Sequence, residues 1–334
     1  MAISANAVTL AQYALMSNSP LVQAVTMSLI DNGSVMQDIP FVTKQTLVAN
    51  GVRFTGNLPT VNWAKINEEG ATTSATPSAF QEQAYVIRNY IDTDKLLVQD
   101  QNQIADPRGI QLAAFLKAAS YDFNFKFIEN DHSTGDSDAF VGLRERLDNY
   151  TAWGVNSANK IDAGGAVITQ AATAAQANAF LEWLDQLLWS VDAPDGNGVV
   201  LYMNDVMVRR LHYLMRLLSG GGGFATTTDQ FDRVILRYKG ALIRDIGYKA
   251  DQSTRSIKVT EESTGLAGAS TYTSIYAVNY SMDHLFGWQF APLDARDLGL
   301  MENGVIYRTM IDWAGGLYNA HTRSMARLFG LKIS

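Results

Sequence analysis

Cysteine is absent from all 334 residues, which excludes disulfides, thiolate nucleophiles and cysteine-based zinc sites. Histidine is scarce. His132, His212, His284 and His321 stand far apart in sequence and form no HExxH pair, so no preassembled metal site is legible. No apolar run approaches the about 18 residues that a membrane span needs. No Lys or Arg precedes Lys44, so the charged start of a secretory signal is missing, and the expectation is a soluble protein made inside the cell. The sequons at Asn32, Asn149 and Asn279 are then chance matches. Basic charge is short as well. With 26 Lys and Arg against 33 Asp and Glu, the formal net charge of −7 argues against dedicated nucleic-acid binding, which needs concentrated cations.

What is present is ordinary folding material. A hydrophobic content of 47% with 18% charged residues supports about two domains and a sizeable core. The chain is organised around Ile104 to Asp131, which reads as one long amphipathic helix. Asp106 is placed to cap it, and Pro107 sits where a first turn tolerates proline. Leu112, Leu116, Ala119, Phe123 and Phe127 share one face, while Lys117, Lys126 and Glu129 can point away. From Pro107 to Glu129 such a spine is roughly 34 Å long at ~1.5 Å per residue. Its apolar face is expected to pack toward the C-terminal strand through Leu116, Phe123 and Phe127.

Before the spine lie segments that seek partners. Ser19-Pro20 opens a short helical stretch with Leu21, Val25 and Leu29 at i+4 spacing, too short to be stable alone. VRF, VNWAKIN and YVIRNYID, between Thr46 and about Gln101, read as strands around the small polar stretch Gly70 to Ser78. The expected result is a long two-stranded arm, marginal in water by itself. After the spine come FVGLRERL, a helix carrying Phe180, Leu184, Leu187, Leu188 and Val191, and the buried strand GVVLYMN. Asn204 or Asp205 then caps a helix running to Leu218. RVILRYKGALIRDIG reads as two strands about a turn at Lys239-Gly240, followed by strands STRSIKVT, SIYAVNY and GVIYRTMIDW. This order indicates an α/β or α+β protein.

Chemistry is hard to find. Asp131, His132, Asp136 and Asp138 do not match an EF-hand and fit a solvated loop. Gly220 to Gly223 lacks the Gly-Lys-Ser/Thr of a phosphate loop, and no G-x-S-x-G elbow exists. Glu68 and Glu69 fit a solvated edge better than acid–base work. Arg209, Arg210 and Arg216 concentrate positive charge on one helix, either for phosphate or an acidic neighbour subunit or as an ordinary exposed face. No cofactor and no catalytic set is indicated, so the expectation is not an enzyme.

Taken in order, LPTVNWAKINEEGATTSA (Leu58 to Ala75), FVGLRERL, LYMNDVMVRRLHYLMR (Leu201 to Arg216), DQFDRVILRYKGALIRDIG (Asp229 to Gly247), SIYAVNY and the ending GLMENGVIYRTMIDWAGGLYNAHTRSMARLFGLK form a recognisable series. Over nearly its whole length the chain resembles the tailed-bacteriophage major capsid proteins of the Hong Kong 97 fold. The resemblance implies an α+β subunit with an N-arm (1–44), an extended β-hairpin loop (45–98), a peripheral domain (99–159 and 298–334) with the spine, and an axial domain (160–297). It implies a structural protein that self-assembles as hexamers and pentamers into an icosahedral shell around double-stranded DNA, without sequence-specific binding.

The inter-subunit contacts it suggests are Leu21, Val25 and Leu29 on the N-arm and Trp63, Lys65, Glu68 and Glu69 on the loop. Arg209, Arg210 and Arg216 are candidate contacts to DNA or to a neighbour. Separate scaffolding, portal and decoration proteins are expected partners, with no membrane. The location implied is the virion, after synthesis in the host cytoplasm. The chain shows no long, charged helical prefix of the kind some relatives cleave off. Some relatives also cross-link a loop lysine to an asparagine, and Lys65 lies in the matching hairpin. The alternative is an encapsulin-like compartment enclosing cargo enzymes.

Overall fold

The computed structural model describes residues 34–53, 59–74, 77–99, 107–166, 168–169, 173–218, 223–228, 234–260 and 272–333. In chain order the strands are β1 (Phe41–Thr43), β2 (Val48–Arg53), β3 (Ser78–Gln83), β4 (Tyr85–Asp94), β5 (Lys160–Asp162), β6 (Val199–Met203), β7 (Phe224–Thr228), β8 (Val234–Tyr238), β9 (Ala241–Asp245), β10 (Tyr272–Asn279), β11 (Leu285–Leu300), β12 (Ile306–Asn319) and β13 (Met325–Lys332). They form three sheets: β1-β11-β12-β4, the seven-stranded β5-β13-β10-β6-β9-β8-β7, and the hairpin β2-β3.

The spine helix spans Pro107–Glu129, with Leu116, Phe123, Phe127 and Ile128 buried. It lies between the two larger sheets. Phe123 meets Trp313 of β12 at 5.9 Å between ring centroids, whereas Phe127 meets Tyr202 of β6 at 5.7 Å. Phe123 and Leu116 therefore pack on the C-terminal strand side as expected, in one cluster with Ile311 and Trp313. Phe127 turns instead to the seven-stranded sheet. Glu129 differs too. Rather than facing solvent it is buried at 4% exposure, paired with Arg144 at 2.8 Å and Lys258 at 3.3 Å. Asp106, the expected cap, lies outside the described residues.

The central strands of the seven-stranded sheet, β13, β10 and β6, are buried on both faces, as their continuous apolar runs require. On β6, Val199, Leu201 and Met203 face the helices Ala174–Ser190 and Asp205–Leu217, while Val200 and Tyr202 join the spine side. β10 splits the same way, with Ile275 and Ala277 on the helix side and Tyr276 and Val278 on the other. Thr173 and Gln176 form a capping box at the first helix, and Asn204 caps the second by accepting the Met207 N–H at 2.8 Å. Between β8 and β9, Lys239 (φ 46°) and Gly240 (φ 100°) make the expected two-residue turn. A Cβ on Gly240 would also come within 2.7 Å of the Asp195 carbonyl oxygen.

Four expectations need correction. VNWAKIN is not a strand, because pairing in the arm stops at Val48–Arg53 with Ser78–Gln83 and residues 59–74 pair with no strand among the described residues. YVIRNYID leaves the arm to pair with β12, where Arg88 faces Asp312 and Asp92 faces Arg308 as cross-strand ion pairs. STRSIKVT contributes just a bridge at Arg255, since the Asp251 side chain captures the Ser253 and Thr254 N–H groups that a ladder would need. Residues 325–332, grouped with the spine by sequence, are hydrogen-bonded into the seven-stranded sheet between β5 and β10.

Candidate assembly interface

The hairpin β2–β3 is anchored at its base and uncovered at its tip. At the base, Glu82 of β3 accepts two hydrogen bonds from Arg146, at 2.6 and 3.0 Å. Both side chains are buried, at 7% and 1% exposure. Arg146 also donates to the Val141 carbonyl at 3.0 Å and lies over the Trp153 ring. Such a bidentate pair, withdrawn from water, fixes the arm's root in one orientation. Beside it, Arg53 stacks on Phe80 at 4.3 Å and donates to the Asn319 carbonyl at 3.3 Å. Burial pushes the Arg53 guanidinium pKa down, partly offset by the Glu82 carboxylate. Phe80 in turn packs on Tyr318, over which the Lys44 ammonium sits at 4.1 Å.

The tip is the opposite. Trp63 is 97% exposed, Ile66 95% and Val61 81%. Lys65, Glu68 and Glu69 are brought together there, all exposed. Glu68 accepts the Lys65 N–H at 3.1 Å and donates its own N–H to the Lys65 carbonyl at 3.1 Å, closing a tight turn. Asn67 occupies the left-handed region at φ 70°, which Asn tolerates better than most residues. An isolated exposed Trp is ordinary, but three apolar side chains on one uncovered extension make the tip a candidate contact surface. Leu96 and Leu97, at 75% and 53% exposure, add a second uncovered apolar pair at the foot of β4. Leu21, Val25 and Leu29 lie outside the described residues.

Arg209, Arg210 and Arg216 line one small hollow of about 220 Å³ with Val206 and Tyr213. Their charges are not equivalent. Arg209 is paired with Asp205 at 3.0 Å, and Arg210 donates to the Ile333 carbonyl at 3.3 Å. Arg216 is exposed and has no ion pair among the described residues. Asp205 is also held by Arg255, whose hydrogen bond lowers the carboxyl pKa.

Two groupings were not legible in sequence. Asp38, Tyr202, Tyr280 and Arg244 form a buried polar network tying the segment Ser34–Asp38 to the seven-stranded sheet. Burial raises the Asp38 and Tyr202 pKa values. Arg146 sits inside the quoted FVGLRERL, but its acid partner is 64 positions away, so no local signal names it.

The family described as major capsid protein GP7 matches residues 20–171. Among solved structures, the chain superposes on the capsid of a native GTA particle with a TM-score of 0.56 at 12% identity, covering 89% of this chain and 90% of that one. The fold is that of Hong Kong 97-like capsid proteins. A Microbacterium phage Oxtober96 chain gives a TM-score of 0.54 at 11% identity, with 90% and 91% coverage. The holo-SrpI encapsulin complex from Synechococcus elongatus PCC 7942 gives 0.58 at 11% identity, with 96% and 94% coverage. At these identities the structural likeness speaks for the fold, which phage shells and encapsulins share. No curated protein sequence matches the chain. No helix among the described residues is long and apolar enough to cross a membrane.

Proposed function

We propose that this capsid protein assembles as hexamers and pentamers into an icosahedral shell that encloses the double-stranded DNA of a tailed phage. The supporting observation is the hairpin tip, whose Trp63 and Ile66 are 97% and 95% exposed in a single chain. Within residues 45–98, the hairpin β2–β3 and residues 59–74 act as the extended loop, laying that tip on a neighbouring subunit, while β4 stays in the body. Residues 1–44 act as an N-arm that contributes Leu21, Val25 and Leu29 to another. The body divides into a peripheral part around the spine and an axial part around the seven-stranded sheet. The shell is a container and not an enzyme. Its net charge of −7 keeps it from gripping DNA, and Arg216 is the arginine best placed for a local phosphate or neighbour contact. Scaffolding, portal and decoration proteins complete the particle, which is built in the host cytoplasm.

The encapsulin reading has one supporting observation, the likeness to the encapsulin chain at a TM-score of 0.58. Electron microscopy of the expressed chain, combined with virion analysis, separates the two. Closed shells with nuclease-protected DNA support the phage capsid, and shells holding a protein cargo support the compartment. A stable small oligomer under every assembly condition contradicts both. Lys65, exposed on the tip, is the residue we assign to a covalent link of the kind some relatives form, its Nζ displacing ammonia from a neighbouring asparagine side chain. Finding monomer-mass bands alone after denaturing intact shells would remove that role.

A further inference from the structure

Three residues that sequence spacing separates by up to 129 positions meet at one end of the molecule: Asp192, His284 and His321. Asp192 follows the helix Ala174–Ser190, His284 precedes β11 in the turn after β10, and His321 lies in the turn between β12 and β13. One ligand atom from each falls within 4.8 Å of the other two. The imidazole rings are 5.0 Å apart between centroids. We propose that these three side chains form a binding site for a divalent late first-row transition metal of the zinc class, which staples the three chain reversals together.

The donor set fits that chemistry. Two imidazoles and one carboxylate suit zinc and its neighbours and leave room for water as a further ligand. His284 Nδ1 is hydrogen-bonded to Ser281 Oγ at 2.9 Å, while its Nε2 is buried with no hydrogen-bond partner. A partner on one ring nitrogen that leaves the other bare is the arrangement by which second-layer groups orient metal-binding histidines. His321 Nδ1 faces Asp192 Oδ2 at 3.9 Å and receives the Arg323 backbone N–H at 3.2 Å. Ligand atoms on a tetrahedral zinc stand about 3.3 Å apart, so a modest closing of the turn completes the site. The turns are already joined, since the Ala320 N–H donates to the His284 carbonyl at 2.8 Å.

Arg323 opposes the cation. Its guanidinium binds the other Asp192 oxygen at 2.7 Å, which orients the carboxylate and lowers the site's affinity by repulsion. Asp283, exposed beside His284, partly balances it.

The test is titration of the untagged full chain with Co²⁺, read by visible absorption, together with melting temperature in Zn²⁺. About one equivalent per chain with a cobalt d–d band is expected, along with a rise in melting temperature. His284→Gln, His321→Gln and Asp192→Asn should each lose the band and the rise. Arg323→Gln should bind more tightly, and His212→Gln, exposed on the helix Asp205–Leu217, should bind like the unaltered chain. If His284→Gln folds poorly, the half-buried His321 and exposed Asp192 variants carry the same reading. A chain that takes up no Co²⁺, or a band that survives all three ligand variants, overturns the site.

Discussion

The root and the tip of one hairpin obey opposite rules. At the root, Glu82 and Arg146 are charged yet buried, and they are held by each other. At the tip, Trp63 and Ile66 are apolar yet bathed in solvent. Each arrangement is costly for a lone chain unless something satisfies it. The root is satisfied within the subunit, by a bidentate ion pair and the Val141 carbonyl. Among the described residues, nothing covers the tip. On the proposed reading, the arm is fixed where it leaves the body and completed where it meets another subunit, so that stability belongs to the root and assembly to the tip.

Substitutions should break that contrast unequally. The largest effect is expected from Arg146→Ala, which strands a buried carboxylate. Loss of about 3–5 kcal/mol in urea unfolding of the unassembled chain is the prediction, and a cost typical of a surface residue would contradict it. Trp63→Ala should leave that unfolding curve within about 0.5 kcal/mol of the original. It should weaken shell formation by about 2 kcal/mol per contact, the size of an interface hot spot, seen as a higher critical concentration for assembly. Glu68→Ala removes just an exposed turn acceptor, so thermal melting should register about 0.5 kcal/mol or less.

The smallest effect is a control on the body. The Ser133 hydroxyl and N–H, with Thr134, hold the Asp131 carboxyl at about 2, below its usual 3.8. A depressed carboxyl stabilises the fold fully above pH 3.8 and loses that contribution as pH falls from 3.8 toward 2. Asp131→Asn should therefore flatten the acid side of the stability profile in that window, and above it lose the charge-dependent contribution by a pH-independent amount. An identical acid slope in both proteins would refute the assignment.

Much of the fold was legible because its signals are local. The spine's start at Pro107, the Asn204 cap and the Lys239-Gly240 turn each depend on a few neighbouring residues. Strand β11 was missed because Pro292 and two glycines, Gly287 and Gly299, interrupt its pattern. The strand absorbs these breaks through register shifts on either side of Ala291 and again between Asp297 and Gly299. VNWAKIN carries strand composition, but a strand needs a partner, and composition does not supply one. At the interface, Trp63 was readable as an apolar residue on an arm. Glu82 with Arg146, and Asp192 with the two histidines, were not, because topology alone joins positions so distant in sequence.

Hydroxyl-radical footprinting with mass spectrometry, comparing the unassembled chain with closed shells, tests the division between root and tip most directly. The account predicts that Trp63 and Ile66 oxidise readily in the free chain and become protected on assembly, while buried Phe127 stays protected in both. Equal oxidation of Trp63 in the two states would contradict it.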